Sequence, residues 1–320
     1  DLITHMDGER MTTDNYTDLY YASQLSLGLS NDETSEPYET KTLTAQTYAI
    51  DPVLDYGLIP LEHLTIGYMI YTDFVFRGNA SLAQLNHVFQ TLKAANIDEF
   101  ILDLRYNQGG YIFAVKQLCS LLAPEEVVEN EELLIHKKWN KAYQERYAND
   151  PDRLEEHFDN TVPLDSRLNL KRLWVITSHV TASASEMLIS ALSPYMKVNV
   201  VGDLTMGKNM GGIIYTPNDK DLQNWNIMLI STEYSNSREE SVKGGIPPMF
   251  PILEQFHHQH QLGDQEEPLL AATLQLITQD TIVTPATNSR SGRNIGTDAP
   301  RRIIPEFVQA KSRLLLGIEN

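Results

Sequence analysis

The chain has 320 residues, of which 42% are hydrophobic and 21% charged, a balance typical of a globular protein with a sizeable core. Its formal net charge of −18 disfavours nonspecific attraction to nucleic-acid phosphates and to anionic lipid headgroups. The sequence contains no run of roughly 18 to 20 apolar residues and opens without a signal segment. We therefore expect no nucleic-acid partner and no membrane span.

The amino-terminal stretch predicts a small β-rich module. Residues 2–14 alternate in polarity and turn at Asp7-Gly8, a dipeptide that accepts the backbone of a tight hairpin. The polar residues 31–41 indicate a loop or linker, so we assign residues 1–45 to this module and its linker. Because the sequence opens at Asp1, without methionine and inside a predicted strand, we expect an upstream portion to have been removed.

Residues 46–280 predict an α/β domain in which strands and helices alternate. The predicted elements, in chain order, are strand 66–74, helix 80–97, strand 99–105, helix 111–123, strand 172–177, helix 184–195, strands 198–203, 211–217 and 224–234, and a closing helix 262–279. Alternation of this kind favours a largely parallel sheet with ligands near the carboxyl ends of its strands. Residues 124–169 are polar without a clear period and indicate an excursion or lid, and 281–320 indicate an irregular extension. The one cysteine, Cys119, falls in an apolar helical pattern, which is typical of a small core residue.

Two residues on the predicted rim of the sheet suggest nucleophilic catalysis. Ser183 begins a helix after one strand, and Lys208 follows the next strand, 25 positions later. A serine hydroxyl attacks only when a base takes its proton, and a lysine is such a base only when its amine is neutral. Met206 and Met210 flank Lys208, so we expect a dry pocket that withdraws the amine from water.

Neighbouring residues supply the remaining parts of such a site. The backbone amide of Ala184 and that of Gly109 or Gly110, in the loop "YNQGG", are candidates to hold a developing oxyanion. Glu186 lies three residues after Ser183, the spacing of a capping box, and we expect it to serve the helix start or to orient a neighbour. A direct pair between Glu186 and the amine would favour the ammonium form and impair the base.

Three stretches together resemble the C-terminal-processing, or tail-specific, serine proteases, relatives of the tricorn core. They are "LDLRYNQGG" at 102–110, "TASASE" at 181–186 and "GDLTMGK" at 202–208, with weaker similarity in "GGIPP" at 244–248. The resemblance covers most of residues 65–280 and implies a crotonase/ClpP-like β-α-β core with a partial PDZ-like module at the amino terminus. It also implies a Ser/Lys dyad of Ser183 and Lys208, a polypeptide substrate, no cofactor, and a bacterial periplasm or cell envelope, with a lipoprotein precursor and an oligomer as possibilities.

The sequence departs from this family's pattern at two positions. Gly212 stands four residues after the lysine, where many relatives carry a glutamine that orients the amine, and Met249 stands where relatives often have an aspartate. We also expect the given sequence to lack the carboxylate-binding half of the PDZ module, so the resemblance does not extend to capture of substrate tails.

Three other functions compete with this interpretation. A non-catalytic binding protein on the same fold, taking a peptide or a small apolar ligand, is the main alternative. "GDLTMGK" also fits the opening of a phosphate-binding loop, but Asn209 replaces the Ser or Thr that such a loop needs, and a strand pattern follows instead of a helix. His257, His258 and His260 could suggest a metal site, but the cluster is more typical of a solvated polar loop.

Overall fold

A computed structural model of the chain describes residues 2–12, 14–17, 22–46, 51–61, 63–75, 79–218, 220–222, 224–254 and 260–279. The described residues fall into two compact units, one within residues 1–50 and the other beginning at Asp51. The expected carboxy-terminal extension, 281–320, lies outside the described residues, as do His257 and His258. Within the described residues, every helix is too short or too polar to cross a bilayer.

The first unit is a four-stranded antiparallel sheet. Its strands are β1 (Leu2–Met6), β2 (Glu9–Arg10), β3 (Gln24–Ser30) and β4 (Glu39–Thr44), in the order β2-β1-β3-β4. The predicted hairpin is confirmed, since Asp7 and Gly8 connect β1 and β2 with φ of 49° and 81°. The prediction of a loop over residues 31–41 is wrong from Glu39 onward, because β4 begins there. All six side chains of β4 are exposed, so this edge strand lacks the alternation by which sequence reveals strands.

The second unit is built on a six-stranded sheet with the order β14-β11-β10-β7-β6-β5. Its strands are β5 (Val53–Pro60), β6 (Thr65–Tyr71), β7 (Glu99–Asp103), β10 (Arg172–Thr177), β11 (Lys197–Gly202) and β14 (Phe250–Pro251). All neighbouring pairs are parallel except β5 with β6. The predicted, largely parallel α/β core is thus confirmed.

Helices cover both faces of this sheet. They are α1 (Asn79–Ala94), α2 (Ile112–Leu122), α6 (Ala184–Leu192) and α7 (Pro268–Gln279). Phe89, Leu118 and Leu188 of the first three pack in one core cluster, while Leu270 of α7 belongs to a second cluster with Trp174. Because both faces are covered, β7 is buried along its whole length, which explains its continuous apolar sequence. Cys119 of α2 is buried, as predicted.

The polar segment 124–169 is structured, which corrects the expectation of an excursion without clear elements. It contains α3 (Glu125–Glu129), β8 (Leu133–Trp139), α4 (Lys141–Arg146), α5 (Pro151–Leu154), β9 (Glu155–His157) and a 3-10 turn, Leu164–Ser166. Strands β8 and β9 join β12 (Met210–Tyr215) and β13 (Ile227–Asn236) in an antiparallel sheet with the order β12-β13-β8-β9. Strand β8 pairs with β13, which lies far along the chain, so local sequence periodicity could not reveal it.

The closing helix is shorter than predicted. It begins at Pro268 instead of residue 262, because the side chain of Glu267 accepts the backbone N–H groups of Leu269 and Leu270 at the helix start. Turns occupy the residues before it. A helix start fixed by a capping carboxylate agrees with the general preference for such acceptors at helix amino termini.

The sheet brings two loops together at one edge. Strands β7 and β10 are parallel neighbours, with Asp103 paired to Ile176, so the residues that follow them start side by side. The Leu104 N–H donates to the Ile176 carbonyl at 2.9 Å. The loops 104–110 and 178–183, which both carry candidate site residues, therefore lie next to each other.

Candidate active site

Ser183 lies at the amino terminus of α6 in an unusual backbone conformation. Its φ of 57° and ψ of −114° fall in a region that residues with a Cβ rarely adopt. The following residue, Ala184, is the first of the helix, where a backbone N–H has no partner within the helix. Such a turn presents the serine hydroxyl and a backbone donor at the same point.

The glycine loop packs directly on this turn. A Cβ added at Gly109 would lie 2.7 Å from the Ala184 nitrogen and 2.7 Å from the Ser183 Cβ, so only glycine permits the approach. The φ of Gly109 is 103°, which also favours glycine. The structure thus places Gly109, Ser183 and Ala184 in contact.

One of the two candidate glycine amides is already engaged. The Gly109 N–H donates to the Asn107 side-chain oxygen at 2.9 Å. Gly110 forms an isolated β-bridge with Phe74. The two hydrogen bonds of this bridge run from the Phe74 N–H to the Gly109 carbonyl and from the Tyr111 N–H to the Phe74 carbonyl, so they do not use the Gly110 N–H. The amides of Gly110 and Ala184 therefore remain the better candidates for an oxyanion.

Asn107, which the sequence motifs did not indicate, connects the glycine loop to the serine turn. Besides accepting from Gly109, its side chain donates to the Tyr71 carbonyl at 2.8 Å, and its own carbonyl accepts the Ala182 N–H and the Ser185 hydroxyl. The side chain is fully buried. The available signal was its position between a buried strand and two glycines.

Glu186 fastens the serine turn to the segment that carries the lysine. Its buried carboxylate accepts the backbone N–H of Ser183 at 2.9 Å, of Lys208 at 2.8 Å and of Gly207 at 2.6 Å, and the hydroxyl of Thr205. Among the described residues, these partners of Glu186 are backbone N–H groups and one hydroxyl. Glu186 thus holds the backbone at Lys208 through hydrogen bonds to the main chain.

Lys208 and Ser183 line the same small pocket. The other lining residues are Ile135, Met187, Ser190, Ala191, Asn209, Tyr234, Ser235, Asn236, Glu240 and Val242. The prediction of a dry pocket around Lys208 is wrong, however. Lys208 is exposed, and Met206 and Met210 are 49% and 43% exposed. Thr205 and Asn209 occupy the inward positions of this segment, which leaves the methionines on the outside.

The structure explains the glycine that replaces the family's glutamine. A Cβ at Gly212 would lie 2.1 Å from the Leu229 carbonyl oxygen, so no larger side chain fits there. Tyr234, which the sequence motifs also did not indicate, is a polar group of the same pocket. Burial and the nearby Glu156 carboxylate raise the pKa of Tyr234 to about 12, so its phenol keeps its proton at neutral pH. Met249, the second departure, is exposed next to β14.

A buried ionic cluster anchors the start of the glycine loop. Arg105 contacts the carboxylates of Asp103, Glu254 and Glu267, and Asp103 also accepts the Tyr68 hydroxyl at 2.9 Å. Burial of Glu267 favours its neutral form, but hydrogen bonds and the charge of Arg105 hold the pKa of Glu267 below its usual value. The cluster ties the end of β7 to α7.

A group of potential metal ligands lies away from these residues in the sequence. His260, Asp264 and Glu266 place ligand atoms within 4.8 Å of one another. The Nδ1 atom of His260 lies 3.0 Å from Asp264, and both side chains are partly or largely exposed. An ordinary surface ion pair accounts for this arrangement.

The site combines a serine at a helix start, backbone amides beside it and a lysine in the same pocket. This combination is typical of serine hydrolases that use lysine in place of histidine. The comparison with known sequences specifies the family. The chain belongs to peptidase family S41, whose sequence model matches residues 65–251.

Individual relatives agree with this assignment. A carboxyl-terminal-processing protease of Synechocystis is 26% identical over 188 residues, 59% of this chain and 38% of the relative. A second, from Picosynechococcus, is 24% identical over 259 residues, 81% of this chain and 56% of the relative. A Bacteroides fragilis protein of known structure, assigned to the S41 proteases, is 25% identical with a TM-score of 0.73, covering 87% of this chain and 73% of that one. The chain thus spans about 38% to 56% of the length of these curated relatives.

Proposed function

We propose that this chain is a serine peptidase that hydrolyses polypeptides through an acyl-enzyme, with Ser183 as nucleophile and Lys208 as base. The observation that carries the proposal is that Ser183 and Lys208 line one pocket, while Ser183 and Ala184 lie against the glycine loop. Membership of family S41 supports the reaction class. Ser183 and Lys208 lie in loops that follow different strands, so the fold brings them together.

The reaction follows from the chemistry of these groups. The neutral Lys208 amine takes the Ser183 proton as the oxygen bonds to the substrate carbonyl carbon, and the amides of Ala184 and Gly110 stabilise the oxyanion. The resulting ammonium then protonates the leaving amine as the peptide bond breaks. A water molecule, deprotonated by the same amine, releases the acyl group and restores the serine.

The family resemblance supports two further parts of the proposal. The second unit corresponds to the crotonase-like core, and the antiparallel sheet of the first unit to part of a PDZ-like module. The same resemblance supports a bacterial cell-envelope location. Oligomerisation stays a prediction.

The decisive experiment compares peptide cleavage by the unmodified chain with cleavage by Ser183→Ala and Lys208→Ala. Lys197→Ala is the control, because Lys197 is an exposed lysine at the start of β11. We expect both site variants to lose on the order of a thousandfold or more in kcat/KM, and the control to lose nothing. Equal cleavage by all four proteins would refute the assignment.

The exposure of Lys208 favours one second candidate, a binding protein on the same fold. A fluorophosphonate probe separates the two, because it labels only an activated serine. Labelling of the unmodified chain that disappears in Ser183→Ala supports the peptidase. Peptide binding without labelling supports the binding protein.

A further inference from the structure

The hairpin formed by β12 and β13 carries an unusual concentration of exposed apolar side chains. Those of Ile214, Tyr215, Trp225, Ile227, Met228, Leu229 and Ile230 are between 38% and 68% exposed. We call these seven residues the hairpin surface. Four of them are consecutive, so both faces of the strand are apolar and uncovered. Neither β12 nor residues 227–232 contain a charged residue, in a chain of net charge −18.

The same strand also has an open edge. Strand β8 pairs with β13 from Thr232 onward, and the last backbone contact on that side joins the Asn140 N–H to the Ser231 carbonyl at 2.8 Å. Within the described part of the chain, residues 227–230 pair with β12 alone. An unpaired strand edge offers backbone donors and acceptors to an extended peptide.

The hairpin surface adjoins the proposed catalytic residues. Strand β12 begins two residues after Lys208, and the Tyr234 N–H donates to the Asn209 carbonyl at 2.9 Å. Asn209 and Tyr234 line both the pocket of Ser183 and a groove that reaches Trp139. Trp139, Met210 and Ile230 then line the next groove along the sheet. An extended chain leaving the pocket therefore meets apolar side chains and an open strand edge.

We propose that the hairpin surface binds the substrate polypeptide as an added strand beside residues 227–230, and that apolar substrate side chains pack on it. The inference rests on the proposed peptidase function and specifies its substrate: an extended segment with apolar side chains. The bound chain also covers the exposed Lys208, Met206 and Met210 and removes water from around the amine. A second copy of this chain fits the surface less well, because two chains of net charge −18 repel each other.

The first test replaces one apolar side chain of the hairpin surface. Leu229→Ser removes a leucine that is 48% exposed, and Leu58→Ser on β5 is the matched control at 45% exposure. We expect Leu229→Ser to raise KM for a polypeptide substrate about tenfold, because the lost contact is the burial of one leucine. Labelling of Ser183 by a small fluorophosphonate should not change in either variant. An unchanged KM with normal labelling would overturn this inference and leave the peptidase proposal standing.

The second test identifies the occupant directly. A photo-crosslinking benzoylphenylalanine is placed at Leu229 in the Ser183→Ala chain, which holds substrate without cleaving it. Crosslinking to unfolded casein supports the proposal. Crosslinking to a second copy of the chain, in the presence of casein, overturns it. Absence of fluorophosphonate labelling in the unmodified chain would instead refute the peptidase function itself. The two failures are therefore distinguishable.

Discussion

The two halves of the candidate site differ in how far the protein itself has completed them. Around Ser183, the backbone is fixed by buried polar contacts: Glu186 accepts its N–H, Gly109 packs against it, and Asn107 holds the adjoining turn. Around Lys208, Glu186 accepts the backbone N–H, and the side chain lies exposed beside exposed methionines. The backbone around the proposed nucleophile is therefore ordered in advance, whereas the proposed base lacks the dry surroundings that its chemistry would need.

This contrast indicates how the site would be controlled. In the proposed mechanism Ser183 reacts slowly while the Lys208 amine is hydrated, and without substrate only a strongly activated reagent such as a fluorophosphonate modifies it. If substrate supplies the cover over Lys208, the proposed base reaches its full activity only in the complex. Polypeptides that do not cover Lys208 would then escape cleavage. Substrate contacts far from the scissile bond would affect kcat as well as KM.

The largest effect should come from disturbing the ordered half. We expect Gly109→Ala to lower kcat/KM on the order of a hundredfold or more, because the new Cβ would displace the Ala184 amide from the oxyanion position. Gly8→Ala is the control: its φ is also positive, at 81°, but a Cβ there meets no atom within 4 Å. Steady-state cleavage of a peptide measures both, and normal activity of Gly109→Ala would show that this contact is irrelevant to catalysis.

An intermediate effect should come from the carboxylate that joins the two halves. In Glu186→Gln, an NH2 group replaces one oxygen and faces groups that themselves donate hydrogen bonds. We expect the free energy of unfolding to fall by about 2 to 3 kcal/mol, the penalty for unsatisfied buried polar groups, together with a loss of activity. Urea denaturation measures the change, and Glu132→Gln, at an exposed glutamate, serves as the comparison. Equal stability of the two variants would contradict the role given to Glu186.

The smallest effect on stability should come from the exposed half. We expect Met206→Ser to change the free energy of unfolding by no more than about 0.5 kcal/mol, because the side chain is 49% exposed. In the substrate complex, however, a serine would leave the cover over Lys208 more polar, and we expect kcat for a polypeptide substrate to fall several-fold. Leu164→Ser, at another exposed apolar residue, should leave kcat unchanged. An unchanged kcat for Met206→Ser would argue against the substrate-cover explanation.

Local pattern was sufficient for the central elements of the fold. The strand 172–177 and the helix that begins at Ala184 agree with their predicted positions, because both faces of the sheet are covered and the apolar runs are continuous. Strand β8 escaped prediction because only its first three residues form an apolar run, and its pairing partner, β13, lies far along the chain. Asn107 and Tyr234 escaped for a related reason: their roles consist of contacts with residues distant in sequence.

The sequence by itself determined that strands and helices alternate and that Ser183 and Lys208 follow consecutive strands of the chain, since periodicity and the order of elements along the chain are local properties. The tertiary structure alone decided that Glu186 binds backbone amides at Lys208, that a glutamine cannot stand at Gly212, and that the lysine is exposed. Exposure and hydrogen bonding depend on which distant segments come to lie beside a residue, and residue type does not specify that.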